Sequence, residues 1–251
     1  MKKRKSNMIT IKEIEEKSMT PAKRAMAKND IFAFYVGRPL SYALTIPFLY
    51  TSLTPNAISM ISIVPAVLGF IAACAARSKA GMIVSWILFF MWNLLDGVDG
   101  NVARYRKQFS KMGSVYDAMA GYIASALMFY AAGIMAAHSA GPLVRGGLVT
   151  AEILVICGGL TAIVDLLPRL VMHKAVTTTM DKDAVKDVMD KADYGIVKTI
   201  ALNLRSCAGG AQVLLLAAIL INITDLYTIC YLLFNTAVMV MSLRSVLKEK
   251  D

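Results

Sequence analysis

Four apolar runs, residues 56–76, 80–104, 113–138 and 148–173, constrain this chain before anything else does. Each is long enough as a helix to cross about 30 Å of hydrocarbon. Two closely spaced runs follow at 207–223 and 226–246, parted by the polar Asn222, Thr224 and Asp225. The expected fold is therefore an all-α membrane protein with six transmembrane helices. Composition agrees: 57% of the residues are hydrophobic and 18% charged, whereas soluble domains carry about 45–50% and about 25%. Cys74, Cys157, Cys207 and Cys230 lie far apart with no CxxC spacing, which predicts free thiols and excludes a disulfide scaffold or a structural zinc site.

Ahead of the spans the chain is polar and basic. Residues 1–31 carry Lys2, Lys3, Arg4 and Lys5, then Lys12, Lys17, Lys23, Arg24 and Lys28. No short apolar core with a small-residue cleavage site is present, so this is not a signal peptide. Residues 32–53 are apolar but broken by Arg38 and Pro39 and interleaved with Tyr, Ser and Thr. They read as an amphipathic helix lying at the membrane interface. Residues 54–251 are then the six-helix transmembrane domain that carries the chemistry. With both termini cytoplasmic, the external loops hold only Arg77, Lys79 and Arg145 among the basic residues. The net charge of +10 is thus accounted for by topology in the cell (plasma) membrane and by anionic headgroups. Nucleic acid is not needed as a partner. The stretch 177–198 is expected to be a polar, partly helical cytoplasmic loop, with Asp183, Asp187 and Asp190 on one solvated face.

The informative residues sit where charge is expensive. Asp96 and Asp99 lie inside the second run and Asp117 inside the third. A carboxylate within a bilayer costs about 2.5–3.5 kcal/mol on insertion scales unless it is partnered. At helical pitch, Asp96, Asp99, Gly100 and Ala103 share one face, as do Gly113, Asp117 and Gly121 on the next helix. The short connection Arg104–Met112 makes the two helices antiparallel neighbours, so the three carboxylates meet near the cytoplasmic face. Clustered hard oxygens select Mg²⁺, Mn²⁺ or Ca²⁺. Gly97, Gly100 and Ala103 leave room for a ligand, and Arg104 and Arg106 are placed to meet a diphosphate. Metal-assisted phosphoryl transfer fits this pattern. The competing readings are carboxylates paired with arginines or a proton or ion pathway. A transporter would spread such charges through both leaflets, whereas Asp96, Asp99, Asp117 and Asp165 all fall in the cytoplasmic half.

The run Asp96-x2-Asp99-Gly100-x2-Ala103-Arg104-x8-Gly113-x3-Asp117 resembles the signature of the CDP-alcohol phosphotransferases (CDP-alcohol phosphatidyltransferases), DxxDGxxAR followed by GxxxDxxxD. Leu53-Thr54-Pro55-Asn56 is similar to the lead-in to that family's first span. The resemblance implies a cytoplasm-facing cleft in which two divalent ions, Mg²⁺ or Mn²⁺, are held by Asp96, Asp99 and Asp117. It implies that Asn56, Gly100, Ala103, Arg104 and Gly113 bind the CDP moiety. An acceptor alcohol, phosphorylated or not, then attacks the phosphate next to the diphosphate bridge and CMP leaves. The commonest such reactions make phospholipid head groups. Membrane lipids are implied partners, and exposed bundle faces fit a homodimer.

One position departs from the signature. Its fourth aspartate, the family's proposed general base, corresponds here to Gly121. Another group replaces it, or the acceptor carries its own base, or the chain is a silent relative that binds CDP-lipid or metal as a sensor or partner. Asp165, Arg169 and His173 share one stripe of the fourth run at i, i+4, i+8. Asp165 is a candidate substitute base or metal ligand, and Arg169 a candidate for an acceptor phosphate. The competing reading is an Asp165–Arg169 ion pair inside the bundle. Arg205, at the start of the fifth run, is a second acceptor-phosphate candidate or a marker of the cytoplasmic end. His173 reads as a polar interface residue.

Overall fold

A computed structural model describes residues 9–178 and 196–247. Lys2 to Lys5 and the Asp183, Asp187 and Asp190 face lie outside the described residues. Among those described, the chain is helical with no strand.

Helices α1 (Ile11–Ser18) and α2 (Pro21–Ala27) come first, then a π-helical turn (Ala33–Gly37) that runs directly into α3 (Arg38–Leu49). Helix α1 starts where the Thr10 hydroxyl accepts the Glu13 amide at 3.2 Å, and its Ile14 is fully buried. Helix α4 (Pro55–Ala75) begins in the same way, with Thr54 accepting the Ala57 amide at 3.2 Å and Pro55 in the first turn. Helix α5 (Lys79–Arg106) is capped by Ser78 and ends at Lys107, whose φ of 56° turns the chain left-handed. Helices α6 (Gly113–Ser139), the short α7 (Pro142–Arg145) and α8 (Ala151–Thr178) follow. The described chain closes with α9 (Ile196–Arg205), α10 (Gly210–Ile221) and α11 (Thr224–Leu247).

Among the described residues, five helices are long and apolar enough to cross a membrane: Pro55–Ala75, Lys79–Arg106, Gly113–Ser139, Ala151–Ala175 and Thr224–Arg244. The sequence pattern leads to six crossings, and the difference lies in 207–223. There the helix has only 12 residues, about 18 Å of rise against about 30 Å of hydrocarbon. The break at Ser206–Gly209 shortens it at one end and the left-handed Asn222 (φ 61°) at the other.

The bundle packs α4 against α5 and α6, α6 against α8, and α8 against α11. Close approach is set by glycine: a Cβ on Gly133 of α6 would stand 2.5 Å from the Leu154 carbonyl of α8. Phe89, Trp92, Met128, Phe129, Leu215 and Tyr231 fill the centre. Apolar side chains such as Val64, Leu68 and Ile71 of α4 face outward, as lipid contact requires. Helix α3 lies along α5, and α1 touches both. These three place the polar end of α5 against the N-terminal segment, and there a cavity opens.

Candidate active site

Helix α5 turns back into α6 through residues 107–112. The left-handed Lys107 lets the Gln108 amide donate to the Ala103 carbonyl at 2.9 Å, closing the helix end. The Ser110 hydroxyl then accepts the Met112 amide at 3.1 Å and the Asn56 side-chain amide at 3.2 Å. The start of α4 is thereby tied to the turn between the two carboxylate-bearing helices.

Around this turn lies a cavity of about 720 Å³, within the range of about 300–1,000 Å³ of small-molecule sites. Asp96, Asp99 and Asp117 all line it. So do Asn56, Gly100, Ala103, Arg104 and Gly113. Seven of these eight residues come from the two consecutive helices α5 and α6, as the sequence pattern expects, and Asn56 joins them from α4. Asp99 is 5% exposed and accepts the hydroxyl of Ser59 from α4. Asp96 is half-buried and Asp117 exposed, and each of the three carboxylates is close enough to another to repel it.

Two glycines shape the wall. A Cβ on Gly97 would meet the Ser41 hydroxyl of α3 at 2.4 Å, so this glycine lets α3 lie flat on α5. At Gly100 a Cβ would stand 2.9 Å from Nη1 of Arg104, whose guanidinium folds back over the missing side chain. Arg104 Nη2 donates to Asn101 Oδ1 at 3.0 Å. The Asn101 amide nitrogen in turn donates to Ser41 at 3.0 Å and Thr45 at 3.1 Å, both on α3. The buried chain Thr45–Asn101–Arg104 thus fixes the arginine from behind.

Arg106 does not face the cavity. Its guanidinium donates to the carbonyls of Phe48, Leu49, Thr51 and Leu53 at 3.0, 3.2, 2.6 and 2.7 Å. It satisfies the end of α3 and the turn into α4, groups left without partners when a helix stops. The expected role beside Arg104 is corrected accordingly. The residue that does line the cavity with Arg104 is Arg38 of α3, together with Ser41, Ser59 and Asn101. The pattern of α5 and α6 could not point to Arg38, Ser41 and Ser59, because they come from two other helices; the one available signal was Arg38 interrupting an apolar run.

Asp165, Arg169 and Arg205 lie elsewhere and do not line the cavity. Asp165 is fully buried, accepts from Arg169 Nη2 at 3.0 Å and has Arg205 Nε 3.6 Å from the same oxygen. Arg205 also donates to the Asp165 carbonyl at 3.3 Å. The ion pair weighed from the sequence is present, with a second arginine added. His173 shares a hydrogen bond of 2.7 Å with the Tyr122 hydroxyl of α6. At Gly121 an added Cβ would meet nothing within 4 Å.

Among the described residues no group of three or more His, Cys, Asp or Glu side chains is disposed to hold a metal ion. The donor chemistry of Asp96, Asp99 and Asp117 nevertheless fits a hard divalent cation: carboxylate oxygens on one wall that repel one another until a cation joins them.

A sequence-family model described as CDP-alcohol phosphatidyltransferase matches residues 52–243, from the turn between α3 and α4 into α11. No curated protein matches the chain.

Proposed function

The chain belongs to the CDP-alcohol phosphatidyltransferase family, and from that premise we propose that it transfers a substituted phosphate from a CDP-linked alcohol, such as CDP-diacylglycerol, to an acceptor alcohol. The observation that carries this reading is the convergence of Asp96, Asp99, Asp117 and Arg104 on one cavity at the polar end of α5. The cavity opens toward the cytoplasm in the orientation favoured by the basic residues, with α3 along the interface. In that arrangement α10 serves as a sixth, shortened membrane segment.

The balance of the step is simple. The acceptor oxygen forms a bond to the phosphorus bearing the alcohol, the bond from that phosphorus to the CMP oxygen breaks, and CMP departs with the electron pair. Asp96, Asp99 and Asp117 would hold Mg²⁺ or Mn²⁺. Such an ion withdraws charge from the diphosphate and stabilises the leaving group. Asn56, Gly100, Ala103 and Gly113 shape the cytidine side. Arg104 holds the diphosphate, oriented by Asn101. Asp117, the most exposed of the three carboxylates, takes the proton of the attacking hydroxyl. Arg169 and Arg205, which stand outside the cavity and are turned to Asp165, would meet a phosphorylated acceptor only beyond the cavity wall, with the donors they do not give to Asp165. The products belong to phospholipid head-group synthesis.

A second reading is supported by Gly121, which carries no carboxylate, and by Asp165, which stands outside the cavity. In it the chain binds CDP-lipid or metal without turnover. Release of CMP by the purified protein, with Mg²⁺ or Mn²⁺ and a panel of CDP-alcohols, separates the two. Turnover that disappears in Asp99→Asn supports the transferase. CDP binding without turnover on any donor, with release appearing only in Gly121→Asp, supports the silent relative.

A further inference from the structure

Arg38 is a charged residue set in the mostly apolar segment 32–53, and the fold does not use it as a strut. It opens α3, lines the cavity, and lies close enough to Arg104 for the two cations to repel. Its buried Nε has no hydrogen-bond partner among the described residues. The buried Nε of Arg104 and the hydroxyl of Tyr42, which lies near Arg104, also lack partners. Two guanidinium groups, each with an unmatched donor, therefore line one cavity, and the unmatched Tyr42 hydroxyl lies near one of them. Buried donors are ordinarily matched, and two guanidinium groups side by side are stabilised by an anion between them that accepts from both. The cavity's four carboxylates do not serve: Asp99 accepts from Ser59, Asp30 accepts from the Ala33 amide and the Ser206 hydroxyl, and neither these nor Asp96 and Asp117 form an ion pair with either arginine among the described residues.

We infer that Arg38 and Arg104 together grip the diphosphate bridge of the nucleotide donor, so that the helix before the first span supplies half of the donor's anion site. The inference rests on the transferase reading above. It also explains why Gly97 is a glycine: only with α3 flat on α5 does Arg38 reach the wall that carries Arg104. Arg106, committed to backbone carbonyls, leaves that second position to Arg38.

The test is titration of the purified full chain with CDP, cytidine and inorganic phosphate in the presence of Mn²⁺, for wild type, Arg38→Gln and Arg38→Lys, with unfolding midpoints measured on the same samples. Loss of a charge-assisted bond predicts CDP binding about 10- to 100-fold weaker in Arg38→Gln. Lysine keeps the charge without the planar fork and should recover part of the loss. Cytidine, which has no phosphate, should bind all three alike. Equal weakening of CDP and cytidine would make Arg38 structural and overturn the inference, as would unchanged CDP affinity in Arg38→Gln. Loss of inorganic phosphate binding with CDP affinity intact would assign Arg38 to the acceptor, and overturn it too. Absence of CDP binding in wild type would sink the transferase reading itself.

Discussion

Substituting Gly100 by alanine should stabilise the protein while weakening its hold on the donor. The added Cβ would stand 2.9 Å from Nη1, 3.0 Å from Nη2 and 3.2 Å from Cζ of Arg104. These atoms are the free end of a long side chain, so the guanidinium moves and the helix does not. Moving costs the 3.0 Å bond to Asn101 and the orientation that bond imposes. Helix α5 itself gains, since alanine in a helix interior is favoured over glycine by about 0.5–1 kcal/mol. Misplacing one charged donor costs about 1.5–3 kcal/mol, which raises the donor KM about 10- to 150-fold. The assay is CMP release against CDP-alcohol concentration, with thermal unfolding of the same detergent-solubilised preparation. An unchanged donor KM, or a midpoint that falls, would refute the reasoning. Gly97→Ala is the internal control. There the Cβ meets Ser41 Oγ at 2.4 Å and Ser41 Cβ at 3.0 Å, and Ser41 is held by Asn101. Helix α3 has to back away, an overpacking of about 1–3 kcal/mol. The same methyl group one turn earlier should therefore lower the midpoint.

Arg106→Ala removes the partner of four carbonyls and should cost about 1.5–3 kcal/mol, seen as faster proteolysis at residues 50–54. The donor KM of the folded fraction should stay at the wild-type value. Asp165→Asn leaves Arg169 and Arg205 without their counter-charge and should destabilise the bundle by about 3–5 kcal/mol; an unmoved midpoint would contradict the triad. Glu13, which accepts from Lys17 at 2.7 Å and from Tyr105 at 2.8 Å, is held below the ordinary glutamate range, chiefly by the Lys17 hydrogen bond and next by Tyr105. Its depressed value means that docking of α1 on α5 is fully supported above the unfolded pKa of about 4.3 and is lost as pH falls through the folded value. The protection of residues 11–18 against hydrogen exchange, taken relative to the intrinsic amide rate at each pH, should therefore be high at neutral pH and fall as Glu13 is protonated, and Tyr105→Phe should weaken it.

Long uniform segments were the most legible part of the fold. Runs of apolar residues bounded by Thr54-Pro55 and Ser78 mark the starts of α4 and α5 to within a residue or two, because capping and hydropathy agree there. Residues 207–223 were less legible for the opposite reason. Their hydropathy is continuous, but Gly209-Gly210 and Asn222 end the helix from both sides, and hydropathy does not register backbone conformation. The helices within 1–31 were also hidden. Helix α1 is short and polar, and is held by Ile14 and by the Glu13–Tyr105 contact, which no local pattern announces.

The site divides along the same line. Asp96, Asp99, Gly100, Ala103, Arg104, Gly113 and Asp117 were readable because they lie on two consecutive helices whose short turn fixes their pairing. Arg38, Ser41 and Ser59 come from α3 and α4 and required knowing what packs against α5. Arg106 was misassigned because helical pitch places its Cα near the right face but does not tell which acceptors compete for it. Four backbone carbonyls at a helix end outcompete a ligand that arrives only during turnover. The same competition bears on Asp165. It faces two arginines with one oxygen and lies outside the cavity lining, so the contacts support it as their counter-charge. Gly121 borders space that a side chain could enter without meeting another atom. Of Asp96, Asp99, Asp117 and Asp165, only Asp117 is both exposed and on the cavity wall, and Asp165 of α8 is not on that wall.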